Sequence, residues 1–207
     1  MRRERSVRLV IGTALAAGVL AGATASAEAP LALDSARITI AGTSNIHTYT
    51  ASTSEVRITR VQVTTPAGPE FWDNVLKPGA IEAFDVAIPA ATLTSPREGL
   101  DKNMHKALQV EKFPDIQFRL VRLGAETGAV KAVGLLKIAG VERGVSFDVR
   151  TERRGPALVV SGQLPLLMTD YGIKPPSAML GMLKTDPKVT IGFEVALTTT
   201  GHVTTAQ

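Results

Sequence analysis

Through most of the chain between Ser35 and Thr198 apolar residues recur at every second position, and that rhythm is broken by one helical stretch. A two-residue period is the signature of a strand with one face buried and the other wet. The break is Gly99 to Phe118, GLDKNMHKALQVEKFPDIQF, where Leu100, Met104, Ala107 and Leu108 fall on one stripe of a helix. Asp101 and Lys102 open this segment, and Phe113-Pro114 stops it, because a proline disfavours helical angles in the residue before it. Ile116, Phe118 and Leu120 then resume the strand period. One short helix therefore interrupts a β protein. Its stripe needs a partner, either the open end of a barrel or the edge between two sheets.

The strands around it can be read in order. Ile38 and Ile40 share one side of the first, opposite Arg37 and Thr39. A β-branched run from Ile46 to Val63 follows, with a bulge or break near Thr59-Arg60, where the apolar parity switches from Val56/Ile58 to Val61/Val63. Pro66, Gly68, Pro69, Pro78 and Gly79 mark a loop that carries the only tryptophan, Trp72. Phe84, Val86 and Ile88 face one way along Ile81–Ile88. After the helix come Asp115–Arg122, Gly128–Ala139, a hairpin turn at Gly140–Arg143 and a strand through Val145, Phe147 and Val149. Leu158, Val160, Gly162 and Leu164 form the next strand, and Lys188–Thr198 closes the fold through Ile191 and Phe193. Between those two, Met168–Lys184 reads as a structured loop with one helical turn around Ser177–Leu180. About eight strands with hairpin links and no βα alternation predict a mainly β chain with one or two short helices, folded as an antiparallel barrel or sandwich.

Residues 1–27 read as a secretory signal peptide rather than as fold. Arg2, Arg3, Arg5 and Arg8 precede an apolar run from Leu9 to Leu20, and Ala25-Ser26-Ala27 offers a cleavage site. The apolar run is too short for a good membrane span. This leader takes four of the 23 basic residues and one of the 19 acidic ones, leaving 19 against 18 and a net charge of +1 for residues 28–207. Such a near-neutral domain offers no basic patch for nucleic acid, and no stable membrane insertion is expected of it. The chain has no cysteine, so it has neither disulfides nor thiolate chemistry, and lipoprotein attachment is excluded. Residues 28–207 are expected to make a single domain, periplasmic or secreted after cleavage near Ala27.

An eight-stranded barrel is near the size at which the interior either fills with its own side chains or holds one small apolar ligand. The candidate lumen residues are Phe84, Val86, Ile88, Ile116, Phe118, Leu120, Leu136, Phe147, Val160, Ile191 and Phe193. Ala132, Gly134 and Gly162 also face inward, and small residues there either leave room for a guest or admit a bulky neighbour. On the first alternative, Gly134→Phe or Gly162→Phe fills the lumen while the fold is kept. Met104, Leu108, Met179, Leu180 and Met182 either pack as core, the reading their apolar character favours, or form an adaptable mouth. His47 and His105, far apart and without cysteine, make a poor metal set; each can form a structural hydrogen bond or meet a polar head group. Asp170, Tyr171 and Lys174 are read as ordering the late loop. No nucleophile-elbow, dinucleotide-binding or zincin motif is present, and the expectation is a protein that is not an enzyme and has no cofactor.

Four segments in order resemble the YceI-like family, the polyisoprenoid-binding YceI-like domain. They are IAGTSNIHTYTA (Ile40–Ala51), the span from VAIPAATLTS to GLDKNMHKALQVEKFPDIQF (Val86–Phe118), VGLLKIAGVERGVSFDV (Val133–Val149) and LPLLMTDYGIKPPSAMLGMLKTDPKVTIGFEV (Leu164–Val195). The resemblance covers roughly Ser35 to Leu197, and implies an eight-stranded, lipocalin-like antiparallel barrel in an exported bacterial protein. It further implies that the lumen holds a long isoprenoid, quinone-like or similar amphiphilic lipid. The alternative expectation is a barrel with a filled lumen that acts through its surface, as a stress-associated or protein-interaction module.

Overall fold

The computed structural model describes residues 31–66, 68–126, 129–178 and 183–200. The expected leader, together with Met179, Leu180, Met182 and His202, lies outside them. The described residues form β1 (Leu31–Ser44), β2 (Thr48–Thr53), β3 (Arg57–Val63), α1 (Phe71–Val75), β4 (Ile81–Pro89) and α2 (Glu98–Leu108). There follow β5 (Asp115–Glu126), β6 (Ala129–Ile138), β7 (Val141–Arg154), β8 (Ala157–Leu167), β9 (Ser177–Ala178) and β10 (Leu183–Thr199). Short 3-10 turns occupy Ala90–Thr92 and Met168–Tyr171.

Nine strands hydrogen-bond in the order β2-β1-β10-β8-β7-β6-β5-β4-β3, and the two-residue β9 pairs with the start of β10. Every pairing is antiparallel. β2 and β3 end this path yet are separated in sequence only by Ser54–Val56, so the chain itself turns the sheet back on its own beginning. Thr94 adds a rung at the seam: the Ser52 amide donates to the Thr94 carbonyl at 2.8 Å, and the Thr94 amide donates back to Ser52 at 3.0 Å. The hydroxyls of Thr53 and Thr92 meet there at 2.7 Å. The result is a mainly β, lipocalin-like antiparallel barrel.

It has one more strand in the ring than the eight expected. The Ile46–Val63 run, read as one strand, turns a corner at Ser54–Val56 and supplies both β2 and β3. The irregularity expected near Thr59-Arg60 is present as well, as a register slip between Ile58 and Arg60 against β4.

The helix α2 starts at Glu98, where the Asp101 carboxylate accepts the Ser95 amide at 2.8 Å and places negative charge in the first turn. It ends well before Phe113-Pro114. Gln109 adopts a left-handed conformation (φ 53°), and the amides of Gln109 and Val110 close back on Lys106 and His105, both at 3.2 Å. This earlier stop lets Val110 and Phe113 pack with Met104, Ala107 and the buried Leu108 against the base of the barrel. The partner of the apolar stripe is therefore the barrel end.

Two turns differ from the expectation. The β6–β7 hairpin turns on Ala139-Gly140, both at positive φ (47° and 82°), so that Val141 to Arg143 already belong to β7. A two-residue hairpin needs this conformation to follow the twist of its strands, and the Phe113 ring packed over Gly140 leaves no room for a β-carbon. In the late loop, Ser177-Ala178 pair with Leu183-Lys184 instead of forming a helical turn; the helical turn lies at Met168–Tyr171. Tyr171 is buried there, and Arg143 Nε donates to the Asp170 carbonyl at 3.0 Å, tying the turn to β7. Burial, reinforced by the Asp170 carboxylate, pushes the Tyr171 hydroxyl above its ordinary pKa.

Candidate functional site

The barrel interior divides into a packed base and an open upper half. At the base Ile138, Ala139, Ala90, Tyr171 and Ile173 join Leu108 of α2 in one continuous core. At the other end, α1 lies across the barrel. Phe71 and Val75 are almost fully buried, with Leu31, Val61, Val63 and Ile81 around them. Between the two lies a cavity of about 190 Å3, measured to the centres of water-sized spheres. Thr151 is the one residue with a polar aliphatic side chain on a wall otherwise made of aliphatic and aromatic residues. A cavity this apolar holds water poorly and favours an apolar guest.

Strand parity puts the expected residues on this wall. Phe84, Val86, Ile88, Ile116, Phe118, Leu120, Leu136, Phe147, Val160, Ile191 and Phe193 all line the cavity. Phe147 packs against Phe118, tilted by 55° with ring centroids 5.7 Å apart, and edge-on to Phe193 at 5.5 Å. Ile88, Ile116, Leu136, Leu164 and the fully buried Leu93 form the floor, shared with the core below.

Met104 and Leu108 do not line the cavity, because α2 packs against the opposite, closed end. The described mouth is instead at α1, from which Trp72, Val75 and Leu76 reach the lumen. The histidines also lie away from it. His47 Nε2 takes a hydrogen bond from Arg97 Nη1 at 2.5 Å, and His105 Nε2 meets the Leu93 carbonyl at 2.8 Å. Among the described residues no cluster of His, Asp or Glu could hold a metal ion, and no helix is long and apolar enough to cross a membrane.

Gly134 and Gly162 face inward but leave no vacancy. A β-carbon on Gly134 would stand 2.4 Å from the Phe118 ring and 2.6 Å from the Arg119 carbonyl oxygen. On Gly162 it would stand 2.6 Å from the Phe193 ring and 2.7 Å from the Asp148 carbonyl oxygen. Each glycine is covered by a phenylalanine of the neighbouring strand, so of the two alternatives for these sites the bulky neighbour holds. Phenylalanine there would not fill a void; it would displace backbone. Even Gly134→Ala and Gly162→Ala are expected to cost about 1–3 kcal/mol by overpacking, read as a fall in urea midpoint at constant slope.

Several lining residues escape simple alternation. Leu31 and Leu33 line the cavity on β1, but a register slip between Leu33 and Ser35 puts them out of phase with Ile38 and Ile40. On β5 a slip between Leu120 and Arg122 leaves Val121 63% exposed and returns Leu123 to the lumen. Trp72 reaches the wall from a loop that gave no periodic signal.

The rim at α1 has a polar feature. On β7, Phe147, Val149 and Thr151 line the cavity at alternate positions, and Arg153 is the next residue of that face. Its guanidinium carbon stands 4.9 Å from the centroid of the Trp72 ring, a cation–π contact, and its Nη2 donates to the Gly155 carbonyl at 3.1 Å.

Comparison with known proteins places this geometry. The YceI-like domain family model matches residues 32–197. Among solved structures, BcnA of Burkholderia cenocepacia is similar with a TM-score of 0.62 at 13% identity, over 78% of this chain and 95% of that one. A polyisoprenoid binding domain from Saccharophagus degradans, implicated in plant cell wall breakdown, gives a TM-score of 0.61 at 11% identity, over 83% of this chain and 99% of that one. At such identities the likeness speaks for the fold. No curated protein sequence matches the chain.

Proposed function

The chain belongs to the YceI-like domain family, and from that premise we propose that it is an exported carrier holding one amphiphilic lipid by its apolar chain, of isoprenoid or quinone-like type. The observation that carries the reading is the apolar cavity, closed below by the core and with α1 lying across its mouth. Each methylene moved there from water contributes about 0.8 kcal/mol, so a long chain supplies affinity without a single hydrogen bond. The Saccharophagus degradans relative, described as polyisoprenoid binding, fits the same class of cargo. The basic, then apolar, then small-residue order of residues 1–27 fits delivery to the periplasm or the medium. The protein acts by binding, with no catalytic step and no resident cofactor. A barrel acting only through its surface is the competing reading, and the dense packing of Phe118 over Gly134 and Phe193 over Gly162 speaks for it in part.

Native mass spectrometry of delipidated protein mixed with farnesol or geranylgeraniol separates the two. The carrier takes up one prenol per chain, with a change in Trp72 fluorescence, since that residue lines the cavity. No uptake of either prenol favours the surface-acting barrel.

A further inference from the structure

We infer that Arg153, held against Trp72 at the α1 rim, is the head-group site of the lumen, so that the cargo is a single-chain amphiphile with an anionic head, phosphate or carboxylate. The inference rests on the carrier reading and goes beyond it in naming the end of the ligand that is recognised and its charge.

The inward face of β7 is graded. From the middle of the barrel to the rim it presents Phe147, Val149, Thr151 and Arg153, an order from aromatic through aliphatic and hydroxyl to cation. Successive residues on one face of a strand stand about 7 Å apart, so Arg153 begins where the apolar wall ends. A chain lying along this face places its tail among the phenylalanines and its head beside the guanidinium. Trp72 fixes that guanidinium on the mouth side, because the same indole lines the cavity.

The adjacent arginine gives an internal contrast. Arg154 points to the outer face, where its charge is met by Glu152 at 2.8 Å and Glu194 at 3.8 Å. Among the described residues no carboxylate pairs with Arg153, whose one hydrogen bond goes to the neutral Gly155 carbonyl. A guanidinium carries five N–H donors in a planar fork that matches carboxylate and phosphate oxygens, and most of that fork remains available here. An arginine without a counter-ion, at the lip of a cavity with apolar walls, is placed to receive an anion tethered to an apolar tail.

Calorimetric titration of the whole delipidated protein with chain-matched pairs tests this: farnesyl phosphate against farnesol, and myristate against tetradecanol. Wild type is expected to bind the anionic member of at least one pair about tenfold tighter than the alcohol, a preference that shrinks with added salt. A preference in the prenyl pair assigns a phosphate head, and one in the acyl pair a carboxylate head. Arg153→Gln removes the preference and leaves alcohol binding within about twofold, whereas Arg154→Gln leaves the preference intact. Equal affinity within both pairs, or a preference that survives Arg153→Gln, overturns the head-group site alone. Failure of every compound to bind overturns the carrier reading with it.

Discussion

Phe71→Ala is expected to open the barrel at its α1 end. Phe71 is 1% exposed, and its partners Leu31, Val61, Val63, Val75 and Ile81 all belong to that end of the fold. A five-residue helix has no stability of its own, so burying Phe71 and Val75 is what holds α1 in place. Truncation of a buried phenylalanine costs about 3–5 kcal/mol. The cluster lies apart from the main core, so the cost should appear as local opening rather than as uniform weakening. Hydrogen exchange of amides around α1 should accelerate by roughly 100-fold or more, at about 1.4 kcal/mol per tenfold, while β6 to β8 keep their protection. Trp72, edge-on to Phe71 at 5.1 Å, should shift its emission to the red as the indole meets water. Equal acceleration in every strand would mean that α1 is part of the global folding unit and not a cover over the lumen.

The second large effect concerns occupancy. Val160→Trp and Leu120→Trp build an indole into the cavity from two separate parts of the wall, β8 and β5. Both side chains are half-buried and border the open space, unlike Gly134 and Gly162, where the backbone stands in the way. An indole that excludes about four methylenes of a guest removes roughly 3 kcal/mol, a loss of on the order of 100-fold in prenol affinity. The melting temperature should stay within a few degrees of wild type. Undiminished prenol uptake in both variants would move the ligand out of the lumen.

What the sequence made legible was set by strand parity. Wherever a strand ran without interruption, as in β6, residues 84–88 of β4 and the central part of β10, alternate apolar residues pointed to the wall that the structure places there. Parity fails at a bulge, because one extra residue moves everything beyond it to the other face. Leu31 and Leu33 lie beyond such a slip from Ile38 and Ile40, and Leu123 beyond one from Leu120, so the alternation read through those residues does not extend to them. The mouth was illegible for a different reason. A helical stripe shows which residues need a partner but not which end of a barrel supplies it, and α2 with Met104 and Leu108 closes the base. α1 is too short to show a period and sits between prolines and glycines that read as loop. Arg153, one arginine of an adjacent pair, gains its place only once β7 is seen to carry it to the rim beside Trp72.

The central claim, that this barrel carries a lipid in its lumen, is tested most directly by native mass spectrometry of the protein purified from the cells that make it, with organic extraction and identification of whatever is released. The carrier account predicts one apolar-chain lipid per protein, lost in Val160→Trp. A clean apo mass from those cells, with no uptake of added prenyl lipids, would contradict it and leave a barrel that works through its surface.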